Sequence, residues 1–293
     1  MIDYKLLKEN NINPKYFKKV KSATLVNNEY VLKENKGNNK VFSYLDARGF
    51  NYYPSNKVLS DKYVLYEYLK DYNISDDERA IELINLVSLL HSKTTRYNSI
   101  SIDDYKKIYE DIDNKIDKLY SYYSDLNELI EQEIYMSPSN YLLVRNISKI
   151  YSSLNYCKNE LDNWYELVKE SKKQRVALIH NNLSLDHLIR NENSYLISWD
   201  KSKFDNPIYD LYNFYKNNYE KIEFSSLLEL YQKRYPLKQN ELKLFFILIS
   251  LPDKIEFTNN DFNNCKLVDK MLDYLYKTDS IISPYYPKNE EEE

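Results

Sequence analysis

The run Val176-Ala177-Leu178-Ile179-His180-Asn181-Asn182-Leu183-Ser184-Leu185-Asp186-His187 decides how this chain folds. Its first five residues read as a short buried strand: an apolar run too brief for a helix. A polar loop follows. Leu188-Ile189-Arg190 and the stretch from Tyr195 to Trp199 then read as two short strands joined by the turn Asn191-Glu192-Asn193-Ser194. After Pro207 the pattern is helical, over about 207–219, 224–234, 239–250 and 259–278.

Upstream, β-formers alternate from Lys18 to Val26 and from Glu29 to Lys33 around Asn27-Asn28, a hairpin signal in which Asn supplies positive φ. Residues 34–39 form a polar loop. Lys40 to Arg48 is a helix with Val41, Tyr44 and Leu45 on one face, closed by Gly49. Strands follow near 57–59 and 63–68. Ser75-Asp76-Asp77-Glu78 caps a helix reaching about His91, with Ile81, Ile84, Leu86, Val87 and Leu90 as its buried stripe. Ser101-Ile102-Asp103-Asp104 opens a further helical region, interrupted and restarted at Ser137-Pro138, that extends to about 172.

The 293 residues are 43% hydrophobic and 29% charged with a net charge of −4, so no overall field points to nucleic acid or an anionic membrane. The 32 Tyr beside only 2 Gly suggest the codon usage of an AT-rich genome. Cys157 and Cys265 have no partner at metal-ligand spacing and read as free thiols in a reducing compartment. The amino terminus lacks a secretion signal pattern and no apolar run is long enough to span a bilayer. These features predict a cytoplasmic protein with no membrane span and no nucleic-acid partner.

The loop His180-Asn181-Asn182-Leu183-Ser184-Leu185-Asp186-His187, with Ile197-Ser198-Trp199-Asp200 and Asp205-Asn206-Pro207-Ile208-Tyr209-Asp210-Leu211, resembles the catalytic and metal-binding loops of the aminoglycoside phosphotransferase and choline kinase-like family. Members of that family read His-Gly-Asp-Leu-His/Ser-Pro-x-Asn/His, then Ile-Asp-Trp-Glu/Asp, then Gly-Asp-Pro-x-x-Asp-Leu. The resemblance implies an α+β, bilobal protein kinase-like fold. A small five-stranded N-lobe would cover residues 1–70, with a hinge near 67–71. A mainly helical C-lobe would cover 71–282, with the catalytic-loop remnant at 180–211 and a disordered acidic tail at 283–293. Spore-coat-associated members from low-GC Gram-positive bacteria are similar in their long helical region. An accidental loop match in an unrelated helical protein would leave no such small lobe.

Carried over residue by residue, the resemblance makes Lys33 the strand lysine that grips nucleotide phosphates. Backbone groups from Glu67 to Leu69 would face adenine. His180 would brace the loop. Asn182 stands where the family has its catalytic Asp, and Asn has no titratable oxygen with which to take a proton. His187 falls at a metal-ligand position and Ser198 where the family has a magnesium-binding Asp. Asp200, or Asp186, is a candidate substitute, since residues 198 and 200 share a face of an extended segment. Asp210 reads as structural. The glutamate that usually partners the strand lysine would fall near Asn38 or Asn39, and the phosphate-covering loop, placed at Thr24 to Glu29, has no Gly. These departures imply weakened binding of ATP and Mg and a pseudokinase-like binding or scaffold role. Its partner would be a small molecule or a protein that the sequence does not identify. The alternative is an active ATP-dependent kinase of a small-molecule hydroxyl with a non-standard metal site.

Overall fold

The computed structural model describes residues 4–20, 23–37 and 39–286. In chain order its elements are α1 (Tyr4–Glu9), β1 (Phe17–Val20), β2 (Ala23–Val26), β3 (Tyr30–Glu34), α2 (Asn39–Ala47), β4 (Asn56–Val58), β5 (Tyr63–Glu67), α3 (Asp76–Thr94), β6 (Arg96–Ser99), α4 (Ile102–Glu131), α5 (Pro138–Val168), β7 (Lys173–Ile179), β8 (Leu188–Arg190), β9 (Ser194–Leu196), β10 (Lys203–Asp205), α6 (Ile208–Asn218), α7 (Phe224–Arg234), α8 (Gln239–Ser250) and α9 (Asp261–Ile282). Short 3-10 turns lie at Leu185–His187, Trp199–Lys201 and Ser283–Tyr285.

The first compact unit comprises residues 1–95, 177–205 and 229–235. It holds an antiparallel five-stranded sheet in the order β1-β2-β3-β5-β4. Asn27 and Asn28 take φ of 55° and 58°, and Glu29 N closes the turn on Val26 O at 3.0 Å. That is the mirror-image turn favoured by the twist of a hairpin. The strand expected from 18 to 26 is instead two strands folded on each other, with Val20 opposite Ala23. Alternation alone does not distinguish one long strand from two short ones. The stretch placed as the phosphate-covering loop is therefore β2 and its hairpin to β3. The residues between the first two strands, 21–22, lie outside the described residues.

Helix α2 buries Phe42 and Leu45, with Val41 and Tyr44 half-buried. Gly49, at φ 67°, lets its N–H reach Asp46 O at 2.9 Å while Phe50 N reaches Leu45 O at 2.9 Å. Ser75 Oγ caps α3 by accepting from Glu78 N at 3.2 Å. The helix runs past His91 to Thr94 and buries Ala80, Leu83, Ile84, Val87 and Leu90. Ile81, expected in this stripe, is exposed, because at 100° per residue it falls off the face set by 80, 84 and 87.

The second unit comprises 96–176, 206–228 and 236–293. Within it α5 packs against α4, α8 and α9. Ser101 and Asp104 form a reciprocal capping box at the start of α4, and Ser137 caps α5 with Pro138 in its first turn. Cys157 is buried in this core, and burial pushes its thiol up to about 12. Many tyrosines have the same arrangement: a buried ring and a hydroxyl spent on backbone. Tyr274 donates to Ile249 O at 2.6 Å, and Tyr123 accepts from Ile255 N at 3.1 Å. Arg175 pairs with the buried carboxylate of Glu241 and donates to Pro236 O at 2.8 Å.

Residues 283–286, expected to belong to a disordered tail, are structured. Ser283–Tyr285 is a 3-10 turn, and Tyr286 donates to Glu160 at 2.9 Å. Residues 287–293 lie outside the described residues. Among the described residues no helix is long and apolar enough to cross a membrane.

Candidate functional site

The loop from His180 to His187 is built in the first unit. β7 delivers His180, buried, whose Nε2 lies 2.8 Å from the carbonyl of Ile197. A carbonyl only accepts, so Nε2 carries a proton and ties the loop to the segment after β9. Asn181 then turns the chain at φ 57° and donates from Nδ2 to Lys201 O at 3.2 Å. It adopts the left-handed conformation that Gly takes most easily, and which Asn tolerates better than other side-chain-bearing residues. Asn182, half-buried, offers its backbone carbonyl to His187 Nδ1 at 2.6 Å. His187 Nδ1 therefore donates, which in the neutral ring leaves Nε2 as the acceptor.

Trp199 fixes this loop to the small lobe's helix. It is buried, its Nε1 donates to Leu196 O at 2.9 Å, and its ring lies 5.0 Å from His180, 6.4 Å from Phe42 and 6.1 Å from Phe50. The segment leading to it was expected to be extended through 199. It is not: β9 stops at Leu196, Ser198 takes φ 67° and residues 199–201 form a 3-10 turn. The shared-face argument for Ser198 and Asp200 therefore fails. Asp186, the other candidate substitute, is exposed.

A cavity of about 140 Å³ has Val31, Phe42, Tyr66, Ile189, Ile197 and Trp199 as its main walls, bordered by Lys33, Glu67, Leu69, Ser198 and Asp200. Five of the sequence-designated residues thus meet at one cavity, while His180, Asn182 and His187 lie off its lining. The amides of Glu67 and Tyr68 are occupied by Ser55 O at 2.9 Å and Glu29 O at 2.8 Å. The Leu69 amide has no protein partner among the described residues and remains able to donate.

Lys33 stands opposite Val64 in the sheet, its Nζ 5.8 Å from the Tyr66 ring centre. Burial holds its ammonium below the usual lysine range; Asp200 opposes that shift and Lys36 adds to it. Burial, and secondarily the charge of Asp200, pushes the Tyr66 phenol up to about 12. Of the two places considered for a helix carboxylate, Asn38 lies outside the described residues, as does the side chain of Asn39. Helix α2 does carry Asp46, but that carboxylate accepts from Tyr53. Lys36, which the sequence reading passed over, pairs with Asp200 at 3.9 Å. A second lysine three residues after the first was the available signal.

Magnesium takes hard oxygen ligands in near-octahedral geometry, usually one or two carboxylates plus phosphates. Here Ser198 offers a neutral hydroxyl, His187 an imidazole, and Asp200 a carboxylate already faced by Lys36. Among the described residues no group of three His, Cys, Asp or Glu is arranged to hold an ion. This donor set does not fit a resident divalent cation.

No family model matches the chain. No curated protein matches it either. Solved structures do. An aminoglycoside phosphotransferase from Alicyclobacillus acidocaldarius is similar over 96% of this chain and 94% of its own, at 9% identity and a TM-score of 0.69. Glucosamine kinase is similar over 94% of this chain and 78% of its own, at 10% identity and a TM-score of 0.54. At such identities the likeness is one of architecture: the chain has the α+β, bilobal kinase-like fold of these small-molecule kinases.

Proposed function

We propose that this protein binds a nucleotide in the first unit's cavity and has lost most or all phosphotransfer, acting as a pseudokinase-like binding or scaffold protein. One observation carries the reading. The loop is fully built and braced, by His180 on Ile197, His187 on Asn182 and Asn181 on Lys201, yet the side chain it presents at the base position is an amide. Phosphoryl transfer depends on positioning and electrostatics, with an acid orienting the acceptor hydroxyl. Loss of a general base costs roughly 10²–10⁴-fold in rate. The apolar walls suit a purine ring, the free Leu69 amide suits its edge, and Lys33 suits a phosphate. The acceptor or protein partner has no counterpart in these features.

The test is calorimetry with ADP and ATP beside an assay of phosphate release and transfer. Binding that is lost in Lys33→Ala, with no turnover above buffer, is the expected result. The double variant Asn182→Asp, Ser198→Asp should gain measurable turnover. Ser198 already sits at a φ that Asp adopts readily, so the backbone does not oppose that change. The alternative, an active small-molecule kinase, draws support from the free Nε2 of His187 and the retained Asp200. Turnover by the unaltered protein that Lys33→Ala abolishes would establish it and end the pseudokinase reading.

A further inference from the structure

Lys36 leaves β3 three residues after Lys33, and its Nζ lies 3.9 Å from Asp200 Oδ2. The turn that carries it is pinned on both sides. Asn35 N donates to Lys62 O at 2.9 Å and Asn35 Nδ2 to Ser60 O at 3.2 Å. Gly37 N donates to Asn35 Oδ1 at 2.9 Å, with Gly37 at φ 78° closing the turn. Lys36 therefore projects from an anchored backbone, and its side chain is 57% exposed, so its ammonium can meet a ligand at the cavity's edge.

Among the described residues, Lys33, Lys36 and Asp200 bring two ammonium groups and one carboxylate to this end of the cavity. A divalent ion placed beside Asp200 would face the like charge of Lys36. A polyphosphate placed there would meet two donors, and ammonium groups bind phosphate oxygens by charge-assisted hydrogen bonds. The donor set that misfits magnesium thus suits an anion. We propose, on the nucleotide-binding reading above, that Lys36 stands in for a divalent cation over Asp200, so that the cleft takes a nucleoside di- or triphosphate free of metal.

Calorimetry of the full chain with ADP, in EDTA and in excess magnesium, tests this. The unaltered protein should bind ADP in EDTA at least as tightly as in magnesium. Lys36→Met should weaken ADP binding in EDTA by about tenfold, the loss of one hydrogen bond to a charged group, while Lys36→Arg should keep most of it. Adenosine, which has no phosphate, should bind both variants as it binds the unaltered protein. Circular dichroism melts confirm that each variant is folded. Binding of ADP that requires magnesium, or a Lys36→Met affinity unchanged in EDTA, overturns the role of Lys36 and leaves the nucleotide reading standing. Absence of binding in both buffers overturns that reading, and this role with it.

Discussion

The apolar end of the cavity and its charged end are held by different kinds of structure. Val31, Phe42 and Trp199 belong to packed elements, and Trp199 also closes an aromatic cluster with Phe50, Tyr53 and His180. Changing any of them disturbs the core. Asn182 and Ser198 contribute chiefly backbone: one carbonyl to His187, one left-handed turn before Trp199. Nothing in folding demands an acid at either position. On the proposed reading, a kinase-like frame here outlasts its chemistry, since packing preserves the frame while a side chain needed only for transfer is free to change.

Trp199→Ala would break that contrast most severely. Removing a buried Trp typically costs about 3–5 kcal/mol. Denaturant unfolding should show a loss of that order and ADP binding should vanish with it. A loss under about 1 kcal/mol would mean that packing does not hold the frame. Next in size is Asn181→Ala. A non-Gly, non-Asn residue in the left-handed region costs roughly 1–2 kcal/mol, and the hydrogen bond to Lys201 goes too. Asn181→Gly loses the same hydrogen bond but meets no left-handed penalty, so it should be more stable than Asn181→Ala by roughly 1 kcal/mol. Equal effects of Ala and Gly, read from urea midpoints, would refute a conformational role for Asn181.

Much of this was legible in the sequence. The helices of the second unit follow from periodicity and caps, and Ser75, Ser101 and Ser137 all cap as their spacing implies. The motif frame was legible because the resemblance rests on the spacing of His180, His187, Trp199 and Asp210 rather than on every side chain between them. What stayed hidden was conformational. Ser198 and the turn after it read as strand because Tyr-Leu-Ile-Ser-Trp is a β-former run, and only the tertiary demand to bury Trp199 bends it away. Positive φ was legible at Asn27 and Asn28, but at Asn11 and Asn181, which take it without a flanking hairpin pattern, it was not. Lys36 was hidden because a polar loop gives no periodic signal for where its side chains go.

A smaller effect is expected at the charged end. Lys33 carries its charge against burial, with Asp200 only partly compensating. Lys33→Met should therefore raise the melting temperature of the nucleotide-free protein slightly, a gain under about 1 kcal/mol, while abolishing ADP binding. A drop in melting temperature would show that Lys33 is a structural ion-pair partner, and the distinction between frame and function would fail at that residue.

The smallest change at neutral pH, and the finest probe of how dry the apolar end is, is Tyr66→Phe. Tyr66 in the folded chain titrates at about 12, raised first by burial and second by Asp200, against 10.0 for an ordinary phenol. Between those values the folded protein keeps a proton that the unfolded chain has lost. The folded state then binds more protons, so stability falls as pH rises through this window and is fully present below it. Tyr66→Phe removes that contribution. Its stability at neutral pH should match the unaltered protein within about 0.5 kcal/mol. Its alkaline decline should be shallower, though not flat, because Tyr215 in the second unit is likewise pushed up to about 12. Asp200→Asn should flatten the curve less than Tyr66→Phe, since its charge is the lesser cause. Melting curves collected from neutral pH to about 12 would decide this. Superimposable alkaline limbs for Tyr66→Phe and the unaltered protein would mean that water reaches the phenol freely, and the cavity would lose the apolar character that makes it a place for a purine.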